Sequence, residues 1–435
     1  MRVLLSKQGD AGSAPAGHMQ AATNRKALVF IFVTVAIDMI GMGIIVPVAP
    51  KIVMALTHQG YATAAEYAGW LSFTFAAMLL FCAPVVGNLS DRFGRRPVLL
   101  ASLVALGIDY LITGLAPTIG WLFIGRALSG MAGAAYMTAN AYIADVTPPE
   151  KRAGRFGLVG AAFSIGFIVG PAIGGLLGGQ DPRLPFFVAA AMSLVNSMFG
   201  FFVLKETLPP ENRRRFDWRR ANPFGALRAM WRLPHALSFI AILVLLRLAN
   251  DAVPSTFAFY CYLKFHWTPG QLGTALMFGA ACMAAVSFGT PLAIKRLGEM
   301  NSATIGIACG TLVMAGYALA AHGWEMYVWM AVGSTMSVIM PAINAILSRN
   351  AGPTMQGELQ GALASIGGLT SVVAPPLTTH IFAAFTAADA PVYFPGAAFM
   401  TGAVIMAAAL AVFLRLRKAS AGGRTGSAPL GGGLR

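Results

Sequence analysis

The sequence predicts an all-α integral membrane protein of twelve transmembrane helices in two six-helix bundles. Three observations carry that reading: the composition, the length of the apolar runs, and the placement of the basic residues. Of 435 residues, 57% are hydrophobic and only 11% charged, whereas soluble domains carry about 25% charge. A water-soluble multidomain enzyme is excluded on that ground. The net charge of +15 fits either phosphate binding in a nucleic-acid partner or the basic loops of a membrane protein, and position decides between them.

A spanning helix needs about 20 mostly apolar residues to cross roughly 30 Å of hydrocarbon. Twelve runs meet that length: 27–49, 67–88, 98–116, 120–143, 155–179, 185–204, 236–260, 270–293, 302–321, 324–347, 360–384 and 392–414. Residues 1–26 are rich in Gly, Ala and Ser, lack the hydrophobic core of a signal peptide and end in Arg25-Lys26, so they read as a disordered cytoplasmic amino-terminal arm. Residues 205–234 carry Glu206 between Lys205 and Thr207, the adjacent Pro209 and Pro210, and Arg213, Arg214, Arg215, Arg219 and Arg220. They form a cytoplasmic central linker between a six-span bundle at 27–204 and a second at 235–414, and residues 415–435 read as a disordered cytoplasmic tail.

Charge placement sets the orientation. With both termini cytoplasmic, 26 of the 31 Lys and Arg fall in cytoplasmic segments, Lys51, Arg183 and Lys264 fall on the opposite face, and Arg126 and Arg247 lie within spans. That asymmetry is what the positive-inside rule requires of an even number of spans. The surplus charge has a topological cause, so no nucleic-acid partner is expected. Cys82, Cys261, Cys282 and Cys309 sit in or beside apolar runs without ligand spacing, so neither a disulfide framework nor a metal site is expected. No cofactor is implied, and no Walker A pattern supplies ATP chemistry.

The chemistry is sought where charge enters the membrane, because such a charge costs about 2.5 to 3.5 kcal/mol on insertion scales. Five residues qualify: Asp38, Asp109, Arg126, Arg247 and Asp251. Asp38 and Asp109 each lie about 16 Å into their spans, near the bilayer midplane. Arg126 lies about 5 Å further from the cytoplasm than Asp109, within side-chain reach. On one reading Asp38 or Asp109 carries a proton and Arg126 tunes its partner. On the other, Asp109 and Arg126 form a static lock and Asp38 is hydrogen-bonded to polar neighbours. Asp38 has no basic residue nearby in its span, which favours the proton role for it. Arg247 and Asp251 stand four apart on one helix face, where they can neutralise each other.

Two further motifs stand out. The loop after span two, Gly87 to Pro97, offers Gly87 and Gly94 for a tight turn, the bases Arg92, Arg95 and Arg96, and a charge latch between Asp91 and Arg95. Span five carries Gly166, Gly170, Pro171, Gly174 and Gly175, a smooth face for close helix approach with a proline bend. Read alone, that face means packing.

Three stretches together resemble the major facilitator superfamily: GNLSDRFGRRPV (87–98), GRALSGMAG (125–133) and GFIVGPAIGG (166–175), the last like the span-five motif of drug/proton antiporters. AIDMIGMGIIVPVAP (36–50), LGIDYL (106–111), AYIADVTPPEKRAGRFG (141–157), KFHW (264–267) and LSRNAGPTMQGELQGALAS (347–365) are similar to the tetracycline/proton antiporter group. The resemblance covers residues 27–414 and implies two bundles of inverted repeats rocking about a midplane site. It assigns Asp38, Asp109 and Arg126 to the transport machinery and Asp91, Arg95 and Asp145 to a cytoplasmic gate. The second half departs from the group, with no acid within span nine and Cys282 near the place of a span-eight His. The expectation is a non-enzymatic, multi-pass inner-membrane protein that works as a monomer. It exports a small amphipathic compound, tetracycline-like in the first instance, in exchange for protons; the alternative is a proton-coupled uptake symporter.

Overall fold

The computed structural model describes residues 14–133, 135–214, 216, 236–351 and 355–425, and every regular element among them is helical. The elements are α1 (Ala14–Ile45), α2 (Ala49–Thr57), α3 (Tyr61–Phe93), α4 (Arg95–Leu115), α5 (Ile119–Gly133), α6 (Ala135–Val146), α7 (Pro149–Gly178), α8 (Leu184–Val203), α9 (Ala236–Phe265), α10 (Pro269–Leu297), α11 (Glu299–Leu319), α12 (Gly323–Gly333), α13 (Ile339–Ala351), α14 (Gln356–Ala384) and α15 (Ala397–Thr425). Ten spans are long and apolar enough to cross a membrane, and α1 with α2 makes an eleventh, bent by 49°. Pro47 removes a backbone donor at that bend, and Pro50 opens α2 in its first turn. The twelfth expected span is α5 with α6, which flank residue 134, outside the described residues.

Span ten is also interrupted. A 3₁₀ segment, Ser334–Val338, separates α12 from α13. There Ser334 and Thr335 hydroxyls donate to the carbonyls of Ala331 and Val332 at 2.6 and 2.8 Å, a back-bonding that loosens a helix. Two expectations need correction. Residues 14–26 are helical and continuous with span one, where a disordered arm is expected, because Ala, Met and Gln are strong helix formers. Likewise α15 runs past residue 414 to Thr425. Of the linker, Pro210–Asn212 forms one 3₁₀ turn; residue 215 and residues 217–235 lie outside the described residues.

Packing follows the two halves. In the first, α1 lies on α7 and α8, and α4 on α5 and α8; in the second, α11 and α9 lie on α15, and α9 on α14. Two extensive contacts join the halves, α3 on α14 and α7 on α10, and a smaller one sets α3 against α9. The glycine face of α7 makes close approach possible on two sides. A Cβ on Gly170 would stand 2.7 Å from the Ile40 carbonyl and 2.8 Å from Gly43 Cα of α1, and one on Gly175 would stand 2.5 Å from the Pro269 carbonyl at the start of α10. Gly166 and Gly174 face α1 in the same way.

Apolar burial is unequal across the membrane. On the face of Lys51 and Lys264 a single cluster crosses both halves, joining Val48, Ile52 and Phe186 to Tyr260, Phe382 and Phe399. There Tyr262 donates to the Pro47 carbonyl, Tyr61 stacks on Tyr262 at 6.5 Å, and His380 Nδ1 lies 2.9 Å from Glu66 Oε1. On the basic face the clusters are separate, one around Phe30, Ile31 and Ile143, the other around Phe239, Ile343 and Phe413. The halves are therefore cemented on one face and apart on the other.

Gly170→Ala must push two backbones apart, at a cost of about 1 to 3 kcal/mol. Gly160→Ala, where nothing lies within 4 Å, gains helix propensity of about 1 kcal/mol. Thermal unfolding in detergent should show the first lowering the melting temperature and the second holding or raising it; the reverse order would refute the packing argument.

Candidate functional site

The polar groups of the first half collect where α1, α4 and α5 meet. Asp109 is fully buried on α4, and Arg126 of α5 donates through Nη2 to its Oδ2 at 2.8 Å. The hydroxyls of Thr113 and Ser129 serve the same carboxylate, Thr113 Oγ1 at 3.4 Å from Oδ1. Gly125 lets α5 approach, since a Cβ there would meet Asp109 Oδ1 at 2.5 Å. This is an ion pair with its lone pairs occupied, the condition under which a buried pair persists.

Asp38 differs. It sits in α1 with Oδ1 shielded from solvent and without a hydrogen-bond partner among the described residues. The buried side chain of Tyr110 stands between the two acids: its hydroxyl lies 3.1 Å from where a Cβ on Gly41 would be, one turn from Asp38, and it feels the charges of Asp38, Arg126 and Asp109. The structure thus gathers Asp38, Asp109 and Arg126 around one tyrosine, which sequence reasoning did not single out although it follows Asp109 directly.

In the second half the expected neutralisation of Asp251 by Arg247 does not occur. Asp251 Oδ2 instead accepts from Ser255 at 2.7 Å and from Thr378 of α14 at 3.4 Å. Arg247 is exposed and reaches toward Gly367 on α14, its Nη2 4.0 Å from a Cβ built there. Hydroxyls on the same turn and on the facing helix offer the carboxylate shorter bonds than a guanidinium aimed away from it.

At the basic face the latch residues converge. Arg95 Nη1 lies 2.6 Å from Asp91 Oδ1, its Nε lies 3.3 Å from Asp145 Oδ2, and its Nη1 donates to Ser90 Oγ at 2.9 Å. Arg92 and Arg96 lie over the rings of Phe93 and Phe201. Only Gly94 makes the turn, with φ +107°, while Gly87 lies inside α3 with open space beside it. The expectation of a two-glycine turn is corrected, because α3 stays helical to Phe93.

Sequence reasoning missed Glu206. Its Oε1 accepts the Arg95 N–H at 2.8 Å and its Oε2 the Arg96 N–H at 3.2 Å, so it closes the amino terminus of α4 from the start of the linker. Also missed was the counterpart in the second half, where Gly298, φ +80°, precedes α11 and Glu299 pairs with Arg349 at the end of α13. A glycine followed by a charged residue opens the third span of each half, and that repeat was the available signal.

Residues 31–375 match the Major Facilitator Superfamily. The chain is 36% identical to the tetracycline resistance protein, class C, of Escherichia coli over 83% of this chain and 91% of that protein. It is 33% identical to the class G protein of Vibrio anguillarum, over 90% and 98%, and 28% identical to multidrug resistance protein 2 of Bacillus subtilis (strain 168), over 84% and 91%. Among solved structures, a bacterial homolog of the human lysosomal transporter Spinster, in an inward-facing and unoccupied conformation, matches with a TM-score of 0.72. It is 16% identical, over 93% of this chain and 96% of that one.

Removing one member of the Asp109–Arg126 pair strands the other, and Arg126→Ala should cost about 3 to 5 kcal/mol. The double variant Asp109→Asn/Arg126→Gln should recover most of that stability in thermal unfolding. A double variant no more stable than Arg126→Ala would show that the pair is not the unit described.

Proposed function

The chain belongs to the major facilitator superfamily, and from that premise we propose that it exports a small amphipathic compound across the bacterial inner membrane in exchange for protons. The observation that carries this reading is the contrast between the two first-half acids. Asp109 is fixed by Arg126 and two hydroxyls. Asp38 has a carboxylate oxygen with no partner among the described residues, which leaves it to exchange a proton or meet a substrate, and a carboxyl whose surroundings alternate is a proton carrier. No covalent chemistry is involved; the protein binds, encloses and releases.

The unequal joining of the halves supports alternating access. With one cross-half cluster on the face of Lys51 and separate clusters on the basic face, the chain has the form of a transporter open toward the basic, cytoplasmic side. Rocking about the midplane would open the other. The Asp91–Arg95–Asp145 latch lies at the mouth that must close.

Tetracycline-like compounds are the first candidates, because six relatives are named as tetracycline resistance proteins. In the second half Asp251 and Arg247 supply charge within the span, while α11 carries its only acid, Glu299, at its first residue.

Three measurements test this reading. A susceptibility panel including a tetracycline, on a pump-deficient host, should show protection against at least one amphipathic compound; counterflow in inverted vesicles fixes the direction, and proton-driven uptake into cells would favour a symporter. Asp38→Asn should be expressed and abolish proton-coupled export, and full transport with unchanged pH dependence would remove the assignment. Asp91→Asn should slow turnover more than it weakens substrate binding, and an unchanged rate would remove the gate.

A further inference from the structure

The two halves treat the same helix end in different ways. In each, a left-handed glycine turns the chain into the third span, Gly94 into α4 and Gly298 into α11. The first residue of that span pairs with the end of the span packed beside it, Arg95 with Asp145 and, with the charges exchanged, Glu299 with Arg349. In the first half a carboxylate arriving from the end of α8, Glu206, then closes the helix amino terminus through the N–H groups of Arg95 and Arg96. The second half packs α11 on α15 as the first packs α4 on α8. What α15 brings there is Arg417; the residue before α11 is Gly298, which has no side chain to cap the helix, and among the described residues no side chain accepts from the first N–H groups of α11.

Where the carboxylate would sit is a cavity of about 470 Å³ at the basic face, lined by Lys295, Asn301, Arg417, the Glu299–Arg349 pair and apolar surface from Ile294 and Leu297. Lys295 and Arg417 make no ion pair among the described residues. Among the described residues, two cations without an ion-pair partner thus line the cavity, and the first N–H groups of α11 have no side-chain acceptor. Glu299 is the only acid among the described lining residues, and it pairs with Arg349. Positive charge and free N–H groups select an anion, and a phosphate oxygen satisfies both. The apolar rim at the level where α10 and α15 leave the membrane suits an acyl-glycerol backbone.

We propose that this cavity binds the phosphate group of an anionic phospholipid from the leaflet at the basic face, in the place that Glu206 fills in the first half. The lipid closes the second-half helix end and ties α10, α11 and α15 to the bilayer.

The test uses the purified full chain in a zwitterionic detergent. It is titrated with phosphatidylglycerol, with phosphatidylcholine as the neutral reference and inorganic phosphate as the soluble competitor, and retained lipid is read by native mass spectrometry. Phosphatidylglycerol should be held in preference to phosphatidylcholine. Lys295→Ala/Arg417→Ala should weaken that retention by about tenfold or more, and Arg415→Ala, a neighbouring exposed base outside the cavity, should leave it within about twofold. Arg417→Glu brings the chain's own carboxylate and should abolish retention while preserving the melting temperature, which keeps the test sound if the double variant folds poorly. Competition by millimolar inorganic phosphate would place the affinity in the phosphate alone; lack of competition would place it in the lipid. Equal retention in wild type and both variants, or an equal loss in Arg415→Ala, would overturn the proposal.

Discussion

A charge held at membrane depth needs a partner, and the first half is arranged around meeting that need. Asp109 and Arg126 face one another at 2.8 Å with hydroxyls on the remaining lone pair, and Gly125 brings the two helices close enough. With that pair closed, the neighbouring Asp38 is the acid whose Oδ1 has no partner among the described residues. The difference between the acids is one of geometry: Arg126 is engaged by Asp109, while Asp38 Oδ1 has no hydrogen-bond partner among the described residues. Tyr110, which follows Asp109 on α4, is buried with its hydroxyl against Gly41 of α1, one turn from Asp38.

Close backbone approach is the second condition. The glycine face of α7 sits against α1 through Gly166, Gly170 and Gly174 and against α10 through Gly175. One helix thereby touches both its own half and the other. Since α1 carries Asp38, a shift of α7 against α10 in the proposed rocking would act on the helix that holds the acid. The aromatic cluster around Tyr260, Phe382 and Phe399, joined by the Tyr262 bond to Pro47, cements one face, while the basic face relies on contacts within each half. Among the described residues, the Asp91–Arg95–Asp145 cluster is held by contacts within the first half.

Much of this was legible in the sequence. Apolar runs of membrane length and the segregation of basic residues fixed the spans, because insertion acts on composition, segment by segment. Depth alone put Arg126 within side-chain reach of Asp109, so that the two could pair. Other features escaped because they depend on where side chains turn. Arg247 and Asp251 share a helix face, yet Ser255 and Thr378 hold the acid, and Thr378 is 127 residues away. Glu206 looked like a linker charge until α4 ended beside it. Residues 14–26 read as a disordered arm by composition, although their alanines extend the helix of span one. The swap of Arg95–Asp145 for Glu299–Arg349 appears only when the two halves are compared as repeats.

The central claim is that Asp38 is the group whose proton the substrate displaces. It is tested most directly by adding a compound identified by the susceptibility panel to the detergent-purified chain in weakly buffered solution and following pH with an indicator dye. The account predicts proton release on substrate addition to the wild type and its loss in Asp38→Asn with substrate still bound. Undiminished release from Asp38→Asn would contradict it.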